Sequence, residues 1–146
     1  VVSAVVQATD EVSVSLYFTI TLDSVDLGAW ATCSGLGIEI ETEGREEGAL
    51  GLFMHQLTGR FRYTNLTLSR PVSKLTNATM AWLSQFALAP IPTTAQVEAL
   101  DPSASHSVMT WSLYGVVPVR WTGPSFDAQS PQVATETLEL AHQGFL

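Results

Sequence analysis

Val12-Ser13-Val14-Ser15-Leu16-Tyr17-Phe18-Thr19-Ile20-Thr21-Leu22 places an apolar residue at every second position, with Ser, Tyr and Thr between. Successive side chains of a β-strand point to opposite faces, so this period predicts a strand with one buried face. Several of its members are β-branched, which suits a pleated, half-buried surface. Asp23-Ser24-Val25-Asp26-Leu27-Gly28 supplies turn formers and is expected to end the strand.

A second extended stretch is predicted from Trp30 to about Glu43. Gly35 and Gly37 flank Leu36 there, which points to a bulge or a close backbone approach. Beyond them Leu36, Ile38 and Ile40 alternate with Glu39, Glu41 and Glu43, so three carboxylates share one strand face. Ala49-Leu50-Gly51-Leu52-Phe53-Met54 is apolar, glycine-punctuated and without a clean period. Residues 44–58 therefore read as a long excursion whose apolar tip must be buried, and a neighbouring chain could bury it. From Gly59 to Arg70 a third strand carries Phe61 and Tyr63 on one face, but Leu66 and Leu68 on the other. Either a bulge near Thr64-Asn65 re-phases it or both faces are covered.

Pro71 closes that strand, and Ser73 is the expected N-cap of a helix from Lys74 to Leu88. Leu75, Ala78, Trp82 and Phe86 share a helical face, and Pro90 and Pro92 end it. Residues 89–106 are rich in Pro, Thr, Ser and Ala and read as a surface connection. Val108 to Trp121 is expected to be a strand with Met109, Trp111, Leu113, Val117, Val119 and Trp121 on one face. Pro118 marks an edge or a bulge in it. Gln132 to His142 alternates again, with Leu138 and Leu140 on one side. The expected fold is mainly β: an antiparallel β-sandwich or barrel with one α-helix packed outside. Residues 1–146 form a single domain in this reading, with residues 1–11 as an extended N-terminal segment.

Hydrophobic residues make up 46% of the 146-residue chain and charged residues only 14%, against about 25% charged in an ordinary soluble domain. That excludes a disordered chain, and no run of ~18 apolar residues offers a membrane-spanning helix. A surface partly buried against copies of itself accounts for the low charge. Six basic residues against fourteen acidic ones, a net charge of −8, leave no electropositive stripe for nucleic acid. The lone Cys33 reads as a small core residue. Residues 1–12 show neither the basic n-region nor the apolar h-region of a signal peptide, so folding in a reducing cytosol is expected.

Catalytic constellations are missing from the sequence. His55, His106 and His142 have no metal-ligand spacing, and there is no nucleophile elbow and no phosphate-binding glycine loop. No cofactor or metal is expected. Glu39, Glu41 and Glu43 spread over ~13 Å of a straight strand, too flat for a calcium ion that wants oxygens at about 2.4 Å. For an isolated monomer they read as a solvated outer face; the alternative is the wall of a water-filled passage formed by several copies. The four tryptophans read as core or interface residues. A second possibility is a monomeric β-sandwich that stacks carbohydrate on Trp30 or Trp111.

Four stretches taken in order resemble a known family. The first is Leu16-Tyr17-Phe18 leading to Cys33-Ser34-Gly35-Leu36-Gly37-Ile38-Glu39-Ile40-Glu41. The second is Arg45-Glu46-Glu47-Gly48, and the third is Arg62-Tyr63-Thr64-Asn65-Leu66-Thr67-Leu68-Ser69-Arg70 before a helix with Trp82. The fourth runs from Trp111 through Pro118-Val119-Arg120-Trp121-Thr122-Gly123-Pro124 to Glu136-Thr137-Leu138-Glu139-Leu140-Ala141-His142-Gln143-Gly144-Phe145. Together they resemble the inner tube proteins of contractile tails: phage tail tubes, R-type pyocins and extracellular contractile injection systems, and more distantly Hcp. The resemblance implies hexameric rings stacked into a hollow tube, which a contracting sheath drives through a target envelope.

The implied partners are further copies of the chain, a sheath protein, and baseplate and tube-terminator proteins, with cargo in the lumen. The implied setting is a phage tail or tail-like particle assembled in the bacterial cytoplasm and released by lysis. In that frame Glu39, Glu41 and Glu43 become candidates to line a strongly negative bore. Residues 44–58 become an inter-subunit arm burying Leu50, Leu52, Phe53 and Met54. A tube-initiator or baseplate-adaptor ring is the alternative role within the family.

Overall fold

The computed structural model describes residues 17–23, 25–41, 60–103, 106–129 and 132–146. β1 (Tyr17–Leu22) is followed by β2 (Asp26–Trp30), β3 (Thr32–Ser34) and β4 (Ile38–Glu41). β5 (Arg60–Tyr63) and β6 (Leu66–Pro71) precede the helix α1 (Thr76–Leu88). The chain ends with β7 (Thr93–Leu100), β8 (Ser107–Thr122), β9 (Thr135–Ala141) and β10 (Gly144–Phe145). Every strand pairing among the described residues is antiparallel.

The main sheet runs β2-β1-β7-β8-β9-β6-β3, with β10 beside β8. Its two ends are consecutive in the chain, because only Ala31 separates β2 from β3, and the Ala31 N–H donates to the Ser69 carbonyl at 3.0 Å. One short segment thus pairs with β1 through its first half and with β6 through its second. That closes the sheet into a barrel and removes most exposed edges. The stretch expected to run unbroken from Trp30 to Glu43 is cut by this handover. Leu27 and Gly28, expected in a turn, belong to β2, since the turn itself is compact: Leu22 and Val25 exchange both backbone hydrogen bonds.

The period-two stretches behave as expected where they are described; residues 12–16 of the first expected strand, and the expected N-terminal segment of residues 1–11, lie outside the described residues. Ile20 and Leu22 of β1 are fully buried, and Leu138 and Leu140 of β9 lie opposite Leu68 and Leu66 of β6 with no exposure. Each such leucine or isoleucine contributes about 1.5–3 kcal/mol of burial. Residues 89–106 depart from expectation. They contain β7, a central strand between β1 and β8 whose Ala95, Val97 and Ala99 are buried. Ala95, Val97 and Ala99 alternate with Thr94, Gln96 and Glu98, but two of the three inward residues are small alanines in a stretch rich in Pro, Thr and Ser, which weakens the period-two signal.

β8 also departs, because its buried face changes phase. Leu113 and Val116 are both fully buried, whereas Met109 and Val119 are half exposed. Gly115 at φ +63° re-phases the strand, and a second irregularity falls between Pro118 and Arg120 where β9 takes over the pairing. Pro118 therefore sits at a bulge and not on an outer edge.

The helix begins two residues later than expected. The Ser73 hydroxyl still acts at its entrance, accepting the Leu75 N–H at 3.1 Å, while a tight turn over residues 73–76 leads in. Only Thr79 and Trp82 of α1 are buried, and Leu88 is 88% exposed. Apolar packing alone holds this helix weakly.

Candidate functional site

Two arrangements position this molecule's chemistry: a projecting ribbon and a buried charge cluster. The ribbon begins where β3 ends. Gly35 adopts φ +95°, and a Cβ there would lie 1.9 Å from the Asn65 carbonyl oxygen. This is the close backbone approach that the two glycines around Leu36 foretold. The third expected strand breaks at the same level, at Thr64-Asn65, into β5 and β6. β4 and β5 then leave the barrel together as a separate two-stranded sheet.

Ile38 pairs with Tyr63, Glu39 with Arg62, Ile40 with Phe61 and Glu41 with Arg60. Paired residues share a face, so one side of the ribbon is Ile38, Ile40, Phe61 and Tyr63. The other is Glu39, Glu41, Arg60 and Arg62. Glu39 and Glu41 thus stand against two guanidinium groups, and Arg62 forms an ion pair with Glu41. Over these four residues the charge is zero, so the acidic stripe read from the sequence is matched on its partner strand. The pair is open to solvent and worth about 0–1 kcal/mol.

On the apolar side Ile38, Ile40 and Phe61 are 52%, 51% and 60% exposed. An isolated two-stranded ribbon is marginal in water, yet its base is well fixed. The Tyr63 ring packs against His142 and Phe145, with centroids 5.5 and 5.7 Å away, and the His142 Nε2–H donates to the Thr64 carbonyl at 3.1 Å. Glu43, His55, and the arm residues Leu50, Leu52, Phe53 and Met54 lie outside the described residues.

The buried cluster centres on Arg70 of β6 and Glu136 of β9, 3% and 0% exposed, with Arg70 Nε 3.0 Å from Glu136 Oε2. Arg70 Nη1 donates to the carbonyls of Leu27 and Ala29 at 2.6 and 3.1 Å. Its Nη2 donates to the Leu75 carbonyl and the Thr79 hydroxyl at 3.0 and 2.8 Å. All five guanidinium donors are used, and the group also stacks 3.8 Å over the Trp30 ring. Glu136 accepts from Arg70, from the Thr76 hydroxyl and, at 3.1 Å, from Trp121 Nε1.

Two charges join β2, β6, β8, β9 and α1 in this way, which accounts for a helix that buries little apolar surface. Sequence reasoning missed the pair, although a signal existed. Arg70 is in phase with the buried Leu66 and Leu68, and Glu136 is in phase with Leu138 and Leu140, so each strand carries one inward charge of opposite sign.

Nothing in the described residues assembles a reaction centre. No group of three His, Cys, Asp or Glu residues there could hold a metal. Cys33 packs against the core, and burial pushes its thiol up to about 11, away from a nucleophile's range. Trp30 is 1% exposed beneath Arg70 and closed to a sugar, which removes half of the carbohydrate-stacking reading. No helix among the described residues is long and apolar enough to cross a membrane.

Residues 14–146 match the family model of the T4-like virus tail tube protein gp19. The chain belongs to this tail tube family. Solved structures share the fold. The tube–sheath complex of the extracellular contractile injection system PVC, in its extended state, contains a chain 20% identical with a TM-score of 0.70, covering 95% of this chain and 93% of that one. A chain in the baseplate of the anti-feeding prophage is 24% identical, with a TM-score of 0.64 and coverage of 92% and 93%. Hcp1 from Flavobacterium johnsoniae is 13% identical, with a TM-score of 0.57 and coverage of 86% and 89%. No curated protein sequence matches the chain. As a tail tube protein it is a structural tube subunit, part of a phage tail or tail-like particle, and among the described residues its architecture is mainly β with one helix.

Proposed function

We propose that this tube protein closes into hexameric rings that stack into the hollow inner tube of a contractile apparatus. In this reading the tube does no chemistry of its own and moves through a target envelope on energy released by sheath contraction. The match to the tail tube family over residues 14–146 carries the reading. A projecting ribbon supports it, because its Ile38, Ile40 and Phe61 are half exposed or more and apolar surface of this kind marks an interaction site.

A sheath protein, a baseplate and a tube-terminating cap are the partners in this proposal, because fold relatives come from assemblies of those descriptions. Residues 44–58 act as an arm to a neighbouring subunit, burying Leu50, Leu52, Phe53 and Met54. Glu39, Glu41 and Glu43 remain candidates to line the bore. With Arg60 and Arg62 beside them, that wall is a mosaic of both signs and less negative than the acidic stripe alone implies. Cargo that is not strongly charged would pass such a wall with little retention. Assembly in the bacterial cytoplasm and release by lysis complete the proposal. A baseplate-proximal initiator ring is the second reading, favoured by the likeness to a baseplate chain.

Negative-stain microscopy of the purified protein tests the reading. Hollow six-fold rings or stacked cylinders are expected, and a uniform field of monomer-sized particles would overturn it. Counting copies per particle separates bulk tube from initiator, since a tube subunit outnumbers a single ring many times over.

A further inference from the structure

The ribbon leaves the barrel through a pliable joint. Below it Ser34 is still paired with Thr67, and above it Ile38 is paired with Tyr63. Between these levels Gly35, Leu36 and Gly37 cross on one strand, and Thr64 and Asn65 on the other. The Thr64 N–H reaches the Gly37 carbonyl at 3.5 Å, which is long for a backbone hydrogen bond. The Gly37 N–H turns back onto the Gly35 carbonyl at 2.8 Å instead of crossing to the other strand. Two glycines and one stretched bond leave the ladder weakest where the ribbon's direction is decided.

A third segment, mounted on the barrel, supports this joint from outside both strands. His142 follows β9, and the residues after it lie against β8: the Gln143 N–H donates to the Tyr114 carbonyl at 2.9 Å, and Gly144 pairs with Tyr114. The chain passes between two rings there, since a Cβ on Gly144 would lie 2.9 Å from Tyr114 Cε1 and 3.1 Å from Tyr63 Cζ. The His142 ring stands 5.5 Å from that of Tyr63 and 5.3 Å from that of Phe145, and the residue is 9% exposed. A carbonyl only accepts, so the 3.1 Å contact with Thr64 requires a proton on Nε2. Nδ1 is buried with no hydrogen-bond partner, which fits the tautomer that leaves it bare. Phenylalanine would fill the same aromatic cluster and bury no orphan nitrogen. What histidine adds is one bond to Thr64, at the centre of the joint.

We propose that His142 is the positioning residue of the ribbon: its Nε2–H holds the Thr64 carbonyl and so fixes the angle at which β4 and β5 leave the barrel. Tyr63 and Phe145 supply apolar contact, and the hydrogen bond supplies direction. A ribbon aimed in advance needs less ordering when it meets another surface. That consequence rests on the ring assembly proposed above, whereas the hold on Thr64 belongs to a single protomer.

Pulsed electron paramagnetic resonance tests it in a Cys33→Ala background. Spin labels are placed on Arg60→Cys in the ribbon and Gln96→Cys on β7, both exposed positions, and the labelled protein is diluted into unlabelled protein. One narrow distance distribution is expected while His142 is present. His142→Phe keeps an aromatic ring in the cluster and is expected to broaden that distribution while the circular dichroism stays that of the parent. His142→Gln, whose amide can donate to the same carbonyl, is expected to narrow it again. Equal widths in the parent and His142→Phe, or equal broadening in both variants, would overturn the assignment. The nitrogen-15 shifts of the imidazole give a check that needs no variant. A protonated Nε2 and a bare Nδ1 are expected, and the opposite tautomer would overturn the assignment as well. Neither measurement depends on whether rings form, so the tube reading stands or falls separately.

Discussion

Replacing Arg70 by methionine removes five donated hydrogen bonds and strands Glu136, which is fully buried. Breaking a buried ion pair by removing one partner costs about 3–5 kcal/mol, because the remaining charge stays in a low-dielectric site. Arg70→Met is therefore expected to lower unfolding free energy by about that amount in urea titrations, and Arg70→Met with Glu136→Leu to recover part of it. A loss below about 1 kcal/mol for the single variant would show that the cluster does not hold the helix to the barrel.

Cys33 gives a second residue-scale test. Its folded thiol is raised from 9.0 to about 11 by burial, so the folded protein holds this proton more tightly than the unfolded chain. The group's contribution to stability is intact below pH 9 and is lost as pH rises toward 11. Alkylation by iodoacetamide should be slow in the native protein below pH 9 and fast after unfolding. Equal rates in both states would contradict the burial.

At the scale of elements, Gly35 is the hinge between barrel and ribbon. An alanine there must adopt φ +95° and place its Cβ against the Asn65 carbonyl. Backbone incompatibility of this kind costs more than about 1 kcal/mol. Gly35→Ala is thus expected to lower the melting temperature and to impair assembly beyond that, because the ribbon's exit shifts. An unchanged melting temperature would contradict the close approach.

The elements also show how far the sequence could be read. β1, β9 and the helix were legible because each repeats its own period over several residues. β7 was not, since its inward residues Ala95, Val97 and Ala99 are few and two of them are small alanines, although Gln96 and Glu98 alternate with them. β8 was read as one face because Gly115 and the Pro118–Arg120 irregularity shift its phase without altering its apolar content. Glycines around Leu36 announced a close approach, but only the fold says that Asn65 is what comes close.

At the scale of the whole molecule, closure of the barrel depends on β2 and β3 being one segment shared between β1 and β6, a non-local fact that no window of sequence contains. The Arg70–Glu136 pair spans 66 positions, so the phase of each strand marks both charges as inward but does not say that they meet. The ribbon's charged face was half legible: the glutamates alternate plainly, but their arginine partners sit on a different strand. What did survive from sequence to fold is the shortage of charge and the sense of an unfinished surface. The described residues locate that surface at the ribbon, where Ile38, Ile40 and Phe61 are half exposed or more.

Native mass measurement of the purified protein across a concentration series tests this most directly. Six times 15.7 kDa, about 94 kDa, is the expected ring mass, with stacked rings at whole multiples of it. A single species at 15.7 kDa that persists at the highest concentration would contradict the account.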